Sequence, residues 1–192
     1  MLDHVRFLRR FVAAPRTVGA VAPSSAVLAA EIVRQARVAS ARTIVELGGG
    51  TGSFTRRIAE VARRDAMIVS IEINEAFAEM LSRRFERVQV IAGSAERAGD
   101  YLRAAGRTTA DCVVSGLPWA AFDAGLQSRL LMTIAGILAD GGTFATFAYL
   151  HASKLPAAMR FRDQLYAMFS RVRVSRVVWR NIPPAFVYGC EL

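Results

Sequence analysis

From Thr43 onward, short apolar runs alternate with stretches of helical period. TIVELG is rich in branched residues and ends in glycine, and helical spacing follows from about Phe54 to Val61. MIVSIEI reads as a second strand, with a helix across Ala76–Phe85 after it. VQVIAG, ADCVVSG and TFATFAYL read as the third, fourth and fifth strands, with helical segments between them. Near-continuous apolar strands joined by helices predict right-handed crossovers and a mainly parallel sheet covered on both faces. After a helix around Met159–Phe169 the rhythm changes. RVRVSRVVW and AFVYGCE are separated only by a short Pro-Pro turn, too short for a parallel crossover. The pattern predicts an α/β fold with seven strands, mainly parallel, closed by an antiparallel C-terminal hairpin.

Composition narrows the partners. The 192 residues fit one domain, 1–192, and 53% are hydrophobic, which excludes a disordered chain. The net charge of +9 favours nucleic acid, acidic lipid headgroups or phosphorylated substrates. Nearly all the basic residues are arginine, Lys154 being the sole lysine. Cys112 and Cys190 each sit in an apolar run and read as buried free thiols in a reducing compartment. Leu130 to Leu150 is broken by Asp140-Gly141-Gly142, so it reads as a helix and then a strand, not a membrane span.

VELGGGTGS places Gly48, Gly50 and Gly52 between the first strand and a helix. Glycines there let the backbone approach a ligand, and the helix N-terminus offers unpaired N–H donors. Glu46 just before them suits a cationic ligand better than a pyrophosphate. Glu72 ends the second strand, about twenty residues on, where a carboxylate can accept two ribose hydroxyls. Together these motifs resemble the S-adenosylmethionine-binding loops of class I methyltransferases, with their Rossmann-like fold. The resemblance implies a donor site of Glu46, Gly48, Gly50, Gly52, Glu72, Ile73, Ser94, Ala95 and Ser115. It implies S-adenosylhomocysteine as product, and no metal. Ser94 stands where many members carry an acidic residue facing the adenine amino group.

SGLPW, Ser115 to Trp119, ends the fourth strand. A sulfonium methyl needs an in-line amine lone pair, so such a site must orient nitrogen; oxygens hold its N–H groups and an aromatic face stabilises its positive charge. The rRNA adenine dimethyltransferases resemble this chain here, but carry an asparagine-led version and a helical RNA-gripping domain that is not expected here. PRTVGAVAPSS (Pro15–Ser25), SGLPW and WRNIPPAFVY (Trp179–Tyr188) more closely resemble the soluble, peripheral-membrane bacterial phospholipid N-methyltransferases. That resemblance implies methylation of phosphatidylethanolamine and its methylated intermediates, towards phosphatidylcholine. The alternatives are an ornithine-lipid N-methyltransferase, an rRNA adenine N6-methyltransferase, or a membrane-shaping protein with a vestigial donor site. Tyr149 and His151, at the end of the fifth strand, are candidates on the ligand-facing rim. Tyr149 would hydrogen-bond the amine or form an aromatic cage with Trp119, His151 would accept a proton or bind the lipid phosphate, and Ser115 would orient the nitrogen. Asp123 is a further candidate for orienting it.

On a helical wheel Val5, Leu8, Phe11 and Val12 share one side of DHVRFLRRFVAAP, with Phe7 at its margin. Arg6, Arg9 and Arg10 gather opposite, with Asp3. This fits an amphipathic helix at a bilayer surface, and equally a helix covering the core. The lipid reading favours docking through Arg6, Arg9, Arg10, Phe7, Leu8 and Phe11. Residues 1–25 would then form a docking helix and loop ahead of a catalytic core at 43–192. The expectation is a monomer in the cytoplasm, peripheral to the inner face of the membrane, with no nucleic-acid partner.

Overall fold

The computed structural model describes residues 24–192. The expected N-terminal helix, with Arg6, Phe7, Leu8, Arg9, Arg10 and Phe11, lies outside the described residues. Seven strands form one sheet: β1 Thr43–Leu47, β2 Met67–Glu72, β3 Gln89–Ala92, β4 Ala110–Ser115, β5 Leu138–Tyr149, β6 Arg171–Val174 and β7 Ala185–Glu191. Their order is β3-β2-β1-β4-β5-β7-β6. β7 runs antiparallel to both β5 and β6, and the other pairings are parallel. The expected Rossmann-like sheet and its closing hairpin are therefore observed.

Among the described residues there are six α-helices, the first ahead of β1 and the others between strands: α1 Ala26–Gln35, α2 Ser53–Val61, α3 Glu75–Arg84, α4 Ala98–Ala104, α5 Ala124–Ile137 and α6 Pro156–Met168. Alternation along the strands divides the core in two. Val45, Val113 and Phe144 pack under α4, α5 and α6, while Ile44, Cys112 and Ala145 pack under α1 and α2. Among the described residues no helix is long and apolar enough to cross a membrane. Cys112 and Cys190 are buried free thiols, and burial pushes each up to about 12.

Two elements depart from the sequence pattern. β5 begins at Leu138, before the Asp-Gly-Gly break: Ala110 pairs with Leu138 and Cys112 with Thr143, so the intervening residues bulge out. Gly141 takes φ +70° within that bulge. α1 was not anticipated. Ser25 caps it, its Oγ accepting from Leu28 N–H at 3.2 Å, and Thr143 Oγ1 donates to the Ala36 carbonyl at 2.7 Å, tying the helix end to β5.

Candidate active site

The chain runs β1, β2, β3 outward, then returns across β1 to lay down β4. The loops after β1 and β4 diverge at that reversal, which opens a crevice at the carboxyl ends of the strands. Gly116 N–H donates to the Leu47 carbonyl at 2.8 Å, so the ladder holds the first residues of the two loops side by side before they part, and Gly48 N–H donates to the Ile71 carbonyl of β2, also at 2.8 Å. The two loops approach so closely there that a Cβ on Gly116 would stand 2.5 Å from the Gly48 carbonyl oxygen. That contact accounts for a glycine in the SGLPW motif. Gly48, Gly50 and Gly52 all take positive φ, as the loop requires.

A cavity lies in the crevice. Of the anticipated donor residues, Gly48, Gly50, Glu72, Ile73, Ser94 and Ala95 line it. Glu72 spans its floor: Oε2 accepts from Gly50 N–H and Oε1 from Asn74 N–H, each at 2.8 Å. The remaining wall is an apolar shelf from Leu117, Pro118, Phe122, Leu126 and Leu130, which the sequence reading missed. Glu96 was missed as well. It lines the cavity two residues beyond Ser94, and Arg129 Nε donates to its Oε1 at 2.7 Å. An acidic residue therefore lines the cavity at position 96 and not at 94, where Ser94 Oγ accepts from Glu96 N–H at 3.3 Å.

Three anticipated donor residues do not reach the cavity lining. Gly52 caps α2, with Phe85 packed where its Cβ would be. Ser115 is fully buried, and its Oγ accepts from Leu117 N–H and Trp119 Nε1–H, both at 3.2 Å. Glu46 is fully buried beneath the loop, its Oε2 accepting from Ser70 Oγ at 2.6 Å and Thr55 Oγ1 at 2.7 Å. Its Oε1 is buried without a partner.

Burial, chiefly, with Glu72 nearby, pushes the Glu46 carboxyl from 4.5 to about 7. The folded state then keeps this proton up to near neutrality, whereas the unfolded chain releases it near 4.5. The folded state binds more protons in that window, so this contribution to stability is present below about 4.5 and is lost as pH rises through about 7. Glu46→Gln keeps an acceptor for Thr55 and Ser70 and removes the titration. Urea unfolding at pH 5 and pH 8 should show the variant gaining on the wild type at the higher pH, by at most about 3 kcal/mol. An equal offset at both pH values would contradict this assignment.

The acceptor-side residues are placed differently from expectation. Trp119 is 3% exposed, stacked on Phe161 at 4.3 Å and 16°. Tyr149 lies five residues beyond Phe144 on the same strand, so it points to the other face of the sheet, edge-on to Phe147 at 5.2 Å. Trp119 packs against Phe144. The expected Tyr149–Trp119 cage is therefore not formed. Trp119 plugs the core, and Ser115 fastens the loop instead of holding an amine. Asp123 caps α5, its Oδ1 accepting from Leu126 N–H at 2.8 Å. Tyr149 and His151 stand together at the carboxyl end of β5, rings stacked at 5.7 Å and 24°, and neither is among the residues lining the cavity. Burial pushes the Tyr149 phenol up to about 12, so it is neutral at physiological pH.

The residues present fit an adenosyl sulfonium donor. Glu72 offers acceptors for ribose hydroxyls, the apolar shelf offers a slot for a base, and the orphaned Glu46 Oε1 lies under the glycine loop. Among the described residues no group of three His, Cys, Asp or Glu side chains is arranged to hold a metal.

Known proteins agree with this layout. The profile of the family described as "Ribosomal RNA adenine dimethylase" matches residues 24–95, the segment carrying β1 to β3 and the donor loop. An O-methyltransferase from Bacillus cereus, solved in complex with SAH, superposes with a TM-score of 0.68 at 17% identity, covering 100% of this chain and 90% of that one. TomG from Streptomyces achromogenes, in complex with SAM, gives 0.69 at 18% identity over 98% of this chain and 90% of that one. At such identities they show the shared fold. The ornithine lipid N-methyltransferase of Singulisphaera acidiphila is 33% identical over 194 aligned positions, covering 100% of this chain and 97% of that protein. With that match along its whole length, the chain belongs to the same methyltransferase family as the Singulisphaera ornithine lipid enzyme.

Proposed function

We propose that the protein transfers methyl groups from S-adenosylmethionine to the free amine of a membrane aminolipid, with ornithine lipid the preferred acceptor. The observation that carries this reading is the full-length likeness to an ornithine lipid N-methyltransferase, which spans the donor loop, SGLPW and the final hairpin alike. The match to the rRNA adenine dimethylase family ends at residue 95, before any acceptor-side residue. Phosphatidylethanolamine is the second reading, favoured by SGLPW and WRNIPPAFVY. Both lipids present an amine at a bilayer surface, where a basic protein of net charge +9 would work as a peripheral enzyme of the cytoplasmic face.

When bound, the donor supplies a methyl carbon on a positively charged sulfur, open to in-line attack. The chain's residues position and protect. Glu72 would hold the ribose hydroxyls, Leu117, Pro118 and Phe122 would enclose the base, and Glu96 with the Ala95 backbone would meet its polar edge. The N–H groups of the glycine loop and of the first turn of α2 would take the donor's carboxylate. An aliphatic amine arrives protonated at neutral pH and must lose a proton before it attacks. Tyr149 Oη, a neutral phenol, would accept an N–H of the amine, and His151 beside it would take the proton at a ring nitrogen. Most of the rate enhancement then comes from orientation.

The test is transfer of label from S-adenosylmethionine to mixed micelles containing ornithine lipid or phosphatidylethanolamine, with ribosomal RNA as control. Labelled ornithine lipid is expected, with slower labelling of phosphatidylethanolamine. Label in RNA and in neither lipid would overturn the proposal.

A further inference from the structure

The loop that joins β6 to β7 reverses the usual partition of side chains. At its tip the polar Asn181 is buried, while Trp179 and Ile182 are 70% and 75% exposed, the highest values among the large apolar residues described. The arrangement is built rather than frayed. Val178 N–H donates to the Ala185 carbonyl at 2.7 Å, closing the base of the loop. Asn181 Nδ2 donates to the Pro183 carbonyl at 2.7 Å, and its Oδ1 accepts from Ser25 N–H at 2.8 Å. Leu150 N–H donates to the Pro184 carbonyl at 2.9 Å, which sets exposed Leu150 against the loop.

Charge and position identify what meets this tip. Lys154, Arg176 and Arg180 are exposed and form no ion pair among the described residues. Between Leu150 and Pro184 the sole carboxylate is Asp163, already paired with Arg162. Two exposed apolar anchors beside unpaired cations are the composition of a segment that enters the headgroup layer of an anionic membrane. Tyr149 pairs with Ala185, so the loop leaves the sheet at the carboxyl end of β5, the edge that also carries the donor cavity, Tyr149 and His151.

We propose that the Trp179–Ile182 tip inserts into the interfacial layer of an anionic bilayer and turns the cavity rim toward the headgroups. The inference rests on the aminolipid reading for its biological sense, but its test reads insertion directly. The chain has two tryptophans, and Trp119 is sealed in the core, so a lipid-dependent change in emission reports Trp179.

The experiment adds the full chain to vesicles of phosphatidylglycerol and phosphatidylethanolamine with brominated acyl chains. Trp179 emission should shift to the blue and be quenched on binding. Trp179→Ser with Ile182→Ser should weaken vesicle binding about tenfold or more. Methylation of vesicle aminolipid should fall with it, while methylation of a water-soluble short-chain aminolipid and the thermal melting curve stay unchanged. Bound protein with unquenched Trp179, or a double variant with undiminished vesicle affinity, would overturn the insertion. Emission already blue and indifferent to vesicles would do the same, assigning the loop's cover to the chain's own leading segment. Loss of insertion with short-chain aminolipid still methylated would leave the proposed reaction standing, and insertion without methylation of any aminolipid would overturn the reaction alone.

Discussion

Trp119→Ala is expected to destabilise the protein by about 3–5 kcal/mol in urea or thermal unfolding, the range for emptying a buried aromatic site. The indole is stacked on Phe161, meets Phe122 and Phe144 edge-on at 6.0 and 6.1 Å, and donates from Nε1 to Thr146 Oγ1 at 3.0 Å and Ser115 Oγ at 3.2 Å. Its carbonyl accepts from Gln127 Nε2 at 2.8 Å, so the same residue anchors α5. Trp119→Phe keeps most of the stacking and loses the two hydroxyl contacts, and a smaller loss of about 1–2 kcal/mol is expected. Both variants should lose donor affinity only as they lose stability, because Trp119 is not among the residues lining the cavity. Unchanged unfolding with lost turnover on aminolipid would return Trp119 to the acceptor site.

Trp119 also shows where sequence reading reached its limit. Parity along a strand assigns faces. Parity does not pass through the turn at Leu117–Pro118, so nothing in SGLPW said on which side of the sheet the indole would fall. Glu46 failed for a related reason. All five residues of β1 are buried, so polar alternation gave no sign that its carboxylate lies under the loop instead of beside the ligand. Glu96 was invisible because a short 3-10 turn, Ala95–Arg97, rotates it into the cavity, and such turns leave little periodic trace. Helix α1 carries apolar residues at 28, 29, 32 and 33, a legible stripe after a Ser cap. What was legible had a local cause. The glycines need positive φ, Glu72 ends a strand facing them, and a Pro-Pro turn forbids a parallel crossover.

Glu72 should be the most sensitive donor-side position. Glu72→Ala is expected to weaken S-adenosylmethionine binding by two to three orders of magnitude, about 3–4 kcal/mol, measured by calorimetry. The residue is nearly fully buried and acts twice. Its carboxylate accepts from Gly50 N–H, fixing the crest of the glycine loop, and from Asn74 N–H, fixing the start of α3, whose first turn Asn74 caps. Truncation leaves both N–H groups without that acceptor and removes the charge-assisted partner for ribose hydroxyls, so organisation and contact fail together. Glu72→Gln separates the two effects. The amide can accept from one N–H but cannot receive both ribose hydroxyls as a carboxylate does, so affinity should fall about tenfold to thirtyfold, with the melting temperature near that of the wild type. Unchanged donor affinity in Glu72→Ala would remove Glu72 from the site. A fall in melting temperature that accounts for the whole loss of affinity would reduce it to a loop brace.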